Sequence, residues 1–135
     1  MTIQNFEDLI IWQEARQLNL DVYSVFRQNR DYSFRDQIQR AVVSIMNNIA
    51  EGFERNKISK DNKQFISFLN ISAGSCSEVK SMLYLAQDLD YITPEKAMNL
   101  RTKCTSISAK ISGLIQTLQS NNGQNNRADI NNLTT

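Results

Sequence analysis

The 135-residue chain contains no histidine, and that absence removes several kinds of chemistry at once. A di-iron centre of the kind built into helical bundles needs Glu-x-x-His pairs on facing helices. Zinc sites need Cys and His clusters, and nucleophile–base catalysis of the Ser-His or Cys-His type needs an imidazole. Only two cysteines are present, Cys76 and Cys104, too few for a zinc cluster. The four glycines, Gly52, Gly74, Gly113 and Gly123, are scattered, so no phosphate-cradling loop is formed. There is one proline, Pro94, and no apolar run long enough for a membrane span. Fifteen Lys plus Arg against fourteen Asp plus Glu leave a formal charge of +1, far from the balance of a dedicated nucleic-acid binder. No catalytic, cofactor-binding or metal-binding set can be assembled. A non-enzymatic protein without cofactor or small-molecule substrate is expected.

What is present is helical periodicity. Ala97, Leu100, Cys104, Ile107, Ile111, Leu114 and Leu118 recur at alternating spacings of three and four, after a Thr93-Pro94-Glu95 start. A stripe this regular must be buried against helices of similar length. An earlier stripe, Leu9, Trp12, Ala15, Leu18, Val22 and Val25, predicts a helix over about 7–28. Ile38, Ala41, Val42, Ile45 and Ile49 predict a second, opened by a Ser33/Asp36 capping pair, with Gly52 near its stop or bend. Residues 55–59 read as a connection, and Ser59 as the cap of a third helix running to about Asp88. Its inner face is Phe65, Phe68, Leu69, Ser72, Cys76, Val79, Leu83 and Ala86, and its small-residue stretch 72–77 invites close approach of a neighbouring helix. The fold class is all-α, an antiparallel up-down-up-down four-helix bundle over residues 1–120. Residues 121–135, rich in Asn and poor in apolar groups, are expected to be disordered, the alternative being a partner-binding segment.

The two cysteines lie in apolar helical settings and are expected to be buried, reduced thiols, with a disulfide or redox pair as the alternative. The first residues lack the basic-then-apolar layout of a secretory signal, and a cytoplasmic location is expected. Two polar features stand out. Gln37, Arg40, Ser44, Asn47 or Asn48, and Glu51 form a second stripe on helix two, either a solvated face or a contact between helices or subunits. An antiparallel hairpin of helices two and three sets Arg40 roughly level with Glu78, so an Arg40–Glu78 ion pair is expected. The second feature is the basic cluster Arg55, Lys57, Lys60 and Lys63, a solvated loop or a contact for phosphate backbone. Helix four adds Lys96, Arg101, Lys103 and Lys110, which would extend that patch if they shared its side. Trp12, Phe53, Tyr84 and Tyr91 read as core or interface anchors rather than base-stacking platforms.

Several ordered motifs carry a resemblance. Phe6-Glu7-Asp8-Leu9 leads to Trp12-Gln13-Glu14-Ala15; then come Gln37-Ile38, Arg40-Ala41, Ser44, Asn48-Ile49-Ala50-Glu51-Gly52, Ala73-Gly74-Ser75 and Glu78. In this set the chain, from Phe6 to about Leu118, resembles the four-helix proteins encoded by intervening sequences within 23S ribosomal RNA genes. The resemblance implies an antiparallel four-helix protomer that assembles as a ring-like homopentamer. One branch of that family is the accessory variability protein of diversity-generating retroelements, which binds a reverse transcriptase and its RNA or DNA through a strongly basic surface. The near-neutral charge here departs from that branch. The leading expectation is a non-catalytic self-assembling adaptor. The alternative is a nucleic-acid- and reverse-transcriptase-binding accessory subunit contacting nucleic acid through Arg55, Lys57, Lys60 and Lys63.

Overall fold

A computed structural model describes residues 3–121. Residues 122–135, nearly all of the Asn-rich tail, lie outside the described residues, so the expectation made for them is not addressed. After a short 3-10 turn at Phe6–Asp8 come four α-helices: α1 Ile10–Phe26, α2 Tyr32–Ser59, α3 Lys63–Asp88 and α4 Pro94–Ser120. Each helix packs on its sequence neighbours, and α1 closes the square against α4. Between the diagonal pairs, α1 with α3 and α2 with α4, no Cα atoms approach within 8 Å among the described residues. The short connections make successive helices antiparallel, giving the expected four-helix bundle.

The apolar stripes explain the packing. All seven predicted positions of α4 are buried. So are the five predicted for α2, together with Phe34 and Phe53 at its two ends. On α3 the predicted face is buried except Phe68, which is partly exposed. On α1 the buried set is Ile11, Ala15, Leu18, Asn19, Val22 and Phe26, while Trp12 and Val25 sit half-buried at its margins. Fully burying one such Leu, Ile or Phe contributes about 1.5–3 kcal/mol before entropy.

Element ends differ from expectation in instructive ways. The first helix does not start at Glu7: the 3-10 turn precedes it, tied down by Gln13 Nε2, which donates to the Glu7 carbonyl at 2.8 Å, and by Phe6 edge-on to Trp12. The cap of α2 is Asp31, not Ser33, its carboxylate accepting from the Phe34 amide at 3.2 Å. Nor does α2 stop near Gly52. It runs to Ser59, straight through the expected connection, because Arg55 reaches back to Glu51 and Lys57 to Glu54 on the same helix face.

The real turn is made by Lys60 and Asn62, both left-handed at φ 61° and 67°. Ser59 therefore does not cap α3. Asn56 and Asn62 exchange hydrogen bonds instead: Asn56 Nδ2 donates to Asn62 Oδ1 at 3.0 Å, and the Asn62 amide donates to Asn56 Oδ1 at 2.9 Å. Asn62 Nδ2 also donates to the Leu118 carbonyl at 3.3 Å, which ties the turn to the end of α4. At the opposite end α3 closes in a Schellman arrangement. The amide of Tyr91 donates to the Ala86 carbonyl and that of Asp90 to Gln87, with Asp90 left-handed at φ 59°.

The close approach falls on α2 rather than on the glycine of α3. A Cβ added at Gly52 would lie 2.7 Å from Phe68 Cβ and 3.1 Å from Phe65 Cδ1, whereas one at Gly74 or Gly113 meets nothing within 4 Å. Phe68 Cβ is fixed to its own backbone, so the two helices would have to part. Gly52→Ala should therefore lower the free energy of unfolding in urea by about 1–3 kcal/mol despite alanine's better helix propensity. Gly113→Ala, in open space, should raise it by up to about 1 kcal/mol.

A second expectation concerns pH. The Tyr91 hydroxyl donates to Asp31 Oδ2 at 2.7 Å, and that bond, with the Phe34 amide, holds the Asp31 carboxyl below the usual carboxylate range. The same bond raises the Tyr91 hydroxyl above its ordinary value, with desolvation adding to it. A lowered acid stabilises above its unfolded value, about pH 4, and loses that contribution as pH falls through the folded one. A raised phenol stabilises below about pH 10 and loses its contribution as pH rises. Tyr91→Phe should thus flatten both limbs of the stability–pH curve, read from urea midpoints between pH 2 and 11.

Candidate functional site

Two residues of the predicted polar stripe of helix two, Gln37 and Ser44, meet α3 in a hydrogen-bonded seam. Gln37 Nε2 donates to Glu78 Oε2 at 2.7 Å. One helical stretch further on, Ser75 Oγ donates to Ser44 Oγ at 2.8 Å, and Asn48 Nδ2 donates to the Ser44 carbonyl at 2.8 Å and to its hydroxyl at 3.0 Å. Beneath them the buried Ser72 hydroxyl donates to the Ile45 carbonyl at 2.9 Å. Ser72 and Ser75 are thus the small residues of α3 that meet α2, while Gly74 is exposed.

The expected Arg40–Glu78 ion pair does not form. Gln37 takes Glu78, and Arg40 is exposed with no side-chain partner among the described residues. Gln37 and Arg40 stand one helical turn apart, so a small error in the register of the two helices exchanges one for the other. Glu51 does not reach α3 either; it pairs with Arg55 at 2.9 Å along its own helix.

The basic cluster is less free than its sequence suggests. Arg55 is held by Glu51 and lies 5.3 Å from the Phe68 ring; Lys57 is held by Glu54 at 3.2 Å and lies 5.3 Å from the Phe53 ring. Lys60, in the left-handed turn, and Lys63, just after it, are exposed and without side-chain partners among the described residues. The basic residues of α4 do not extend this patch. Lys96 and Arg101 stand at the start of α4, whereas the turn that carries Lys60 binds its end at Leu118. Lys103 bonds Asp21 at 2.7 Å, Lys110 pairs with Glu14, and Arg101 lies 4.1 Å over the Tyr84 ring while donating to Gln87 at 2.9 Å. Lysines of α4 and acids of α1 thus clamp the thinnest contact of the bundle.

Of the aromatic residues, Phe53 packs edge-on against Phe65 and Tyr91 against Phe34, both as anchors of the core. Tyr84, expected as an anchor, is exposed, as are Tyr23 and Tyr32, and is covered on one face by Arg101. Cys76 and Cys104 are free and buried at the floor of an α3–α4 groove of about 300 Å³, with Lys80 and Ser108 on its walls. Burial, then the neighbouring Cys104, pushes the Cys76 thiol up to about 12. Burial pushes Cys104 up to about 11 against the opposing pull of Lys80. Neutral thiols of this kind are poor nucleophiles. Among the described residues no group of three or more His, Cys, Asp and Glu is placed to hold a metal, and no helix is long and apolar enough to cross a membrane.

One functional group escaped the sequence reading. Asn19 occupies an apolar-phase position of α1, buried, with Nδ2 donating to the Val42 carbonyl of α2 and to the Ala15 carbonyl, both at 2.9 Å. Its Oδ1 is buried without a partner. The signal was an amide lying between Leu18 and Val22 on the core side of the helix.

Comparison with known proteins agrees with this architecture. A solved structure of a protein of unknown function from the S23 ribosomal protein family of Bacteroides thetaiotaomicron VPI-5482 superposes with a TM-score of 0.70 at 22% identity, covering 78% of this chain and 98% of that one. At that identity the likeness speaks for the fold alone. No curated protein matches. Residues 7–113 match the family described as 23S rRNA-intervening sequence protein, nearly the span over which the motifs from Phe6 to Leu118 run. The chain belongs to the 23S rRNA-intervening sequence protein family.

Proposed function

We propose that this protein acts through self-association, as a non-catalytic cytoplasmic homo-oligomer, a pentameric ring, that serves as an assembly or adaptor module. The observation that carries this reading is apolar surface with no use inside the bundle. The core is filled by the four stripes, yet Leu20 on α1, Ile71 and Leu85 on α3, Leu89 just after α3 and Met98 on α4 stand about half exposed or more. Large exposed apolar side chains of this kind suit contact with another protein surface. The hydrogen-bonded seam between α2 and α3 supports the same reading, since it fixes the relative register of two helices and so gives the outer faces a defined shape.

A second reading, an accessory subunit that binds RNA or DNA and a reverse transcriptase, is favoured by Lys60 and Lys63, the two cations of the basic cluster left unpaired among the described residues at an exposed turn. With two unpaired cations in that cluster, binding through it should be weak and its salt dependence shallow.

Light scattering on the full chain at micromolar concentration should return about five times the 15.5 kDa chain mass; a monomer would contradict self-association. In the same preparation a fluorescent RNA or single-stranded DNA should bind only at low salt. Tight binding that persists at physiological salt and is lost in Lys60→Ala/Lys63→Ala would favour the second reading.

A further inference from the structure

The outward faces of α1 and α3 differ in charge in a way that suits two copies of this chain meeting head to tail. On α1 the two acids, Glu14 and Asp21, turn toward α4 and are neutralised there by Lys110 and Lys103. What α1 and its C-cap leave outward is basic: Arg16 and the C-cap residue Arg27, which keeps helical backbone angles, both exposed, on either side of Leu20, which is 58% exposed. At 100° per residue these three lie within an arc of about 40°. Arg27 has no side-chain partner among the described residues, and Arg16 leans over the Trp12 ring at 5.7 Å.

On α3 the situation is reversed. Of its two lysines, Lys63 is the first residue of the helix and Lys80 lines the groove toward α4. The outward face therefore carries the acids Glu78 and Asp88 on either side of Leu85, which is 47% exposed. Glu78 uses only Oε2 to accept from Gln37, and Asp88 has no side-chain partner among the described residues.

The two patterns match in length. Eleven residues separate the arginines and ten the acids, axial distances of about 16 and 15 Å at 1.5 Å per residue. Because successive helices alternate in direction, α1 and α3 run the same way, and as diagonal members of the square they face opposite sides of the bundle. A face cannot satisfy its complement within one chain. It can do so on the next copy, and such a contact is heterologous, closing a ring or propagating a filament.

We infer that the α1 face around Arg16, Leu20 and Arg27 docks on the α3 face around Glu78, Leu85 and Asp88 of a second copy of this chain. The inference rests on the self-association proposed above and assigns its interface. The charged rim selects the partner face and excludes pairing of like faces, while the central leucines supply the desolvated contact.

The test is reversal of each face in the full chain. Arg16→Glu/Arg27→Glu and, separately, Glu78→Lys/Asp88→Lys should each raise the concentration for half-assembly at least tenfold by native mass spectrometry or light scattering. The four substitutions together should restore assembly. All four positions are exposed, so helical content by circular dichroism should stay at the wild-type level, and Leu85→Ser on the same face should weaken assembly with no charge change. A wild-type oligomer that tolerates both reversals and Leu85→Ser would overturn this interface while leaving self-association intact. A wild-type monomer would overturn self-association and the interface with it.

Discussion

The closest contact in the bundle, α2 against α3, is the constraint from which the remainder follows. At Gly52 the two helices come so near that a single methyl group would collide with the Phe68 side chain at its root. That proximity brings the Ile45 carbonyl within reach of the Ser72 hydroxyl and lets Ser44 meet Ser75. Hydrogen bonds between small side chains hold the helices in one register, whereas apolar packing alone tolerates sliding and repacking. The turn between them is fixed at the same time, because Asn56 and Asn62 close it and reach the end of α4.

The other two helices are attached differently. α4 adds its regular apolar stripe to α3, and α1 completes the square with the thinnest contact, against α4. There charge does the selecting: Lys103 and Lys110 meet Asp21 and Glu14 across the groove. Partly exposed ion pairs of this kind contribute little stability individually. Their larger effect is on what remains outside. By drawing the acids of α1 inward they leave its outer face basic, while the acids of α3 have no such counterparts. The asymmetry of the surface is thus a by-product of how the bundle closes.

Much of this architecture was legible in the residues. The α4 stripe needed only its spacing and the Thr93-Pro94 start, since three-and-four periodicity sustained over so many residues has one physical solution. Element ends were harder. The expected connection at 55–59 is helical because local pairs such as Glu51 with Arg55 support the helix, and the stop comes only after Ser59, where left-handed Lys60 and the Asn62 lock onto Leu118 turn the chain. Sequence shows neither the left-handed backbone of Lys60 and Asn62 nor the distant carbonyl that stabilises it. The polar seam was legible in residue type and helix but not in pairing: Gln37, not Arg40, takes Glu78, a choice set by an axial offset of one turn. Asn19 was missed because an amide in an apolar stripe looks like an interruption until the Val42 carbonyl opposite it is seen. The basic cluster was visible, but its neutralisation by Glu51 and Glu54 depended on a helix the sequence reading had ended too soon.

If the α2–α3 contact organises the molecule, local stability should be graded outward from it. Native-state amide hydrogen exchange measures that gradient directly. Amides around Ile45 and Ile49 in α2 and around Leu69 and Ser72 in α3 should exchange last, those of α4 next, and those of α1 first. Slowest exchange in α1 or α4, or equal protection along all four helices, would contradict the account.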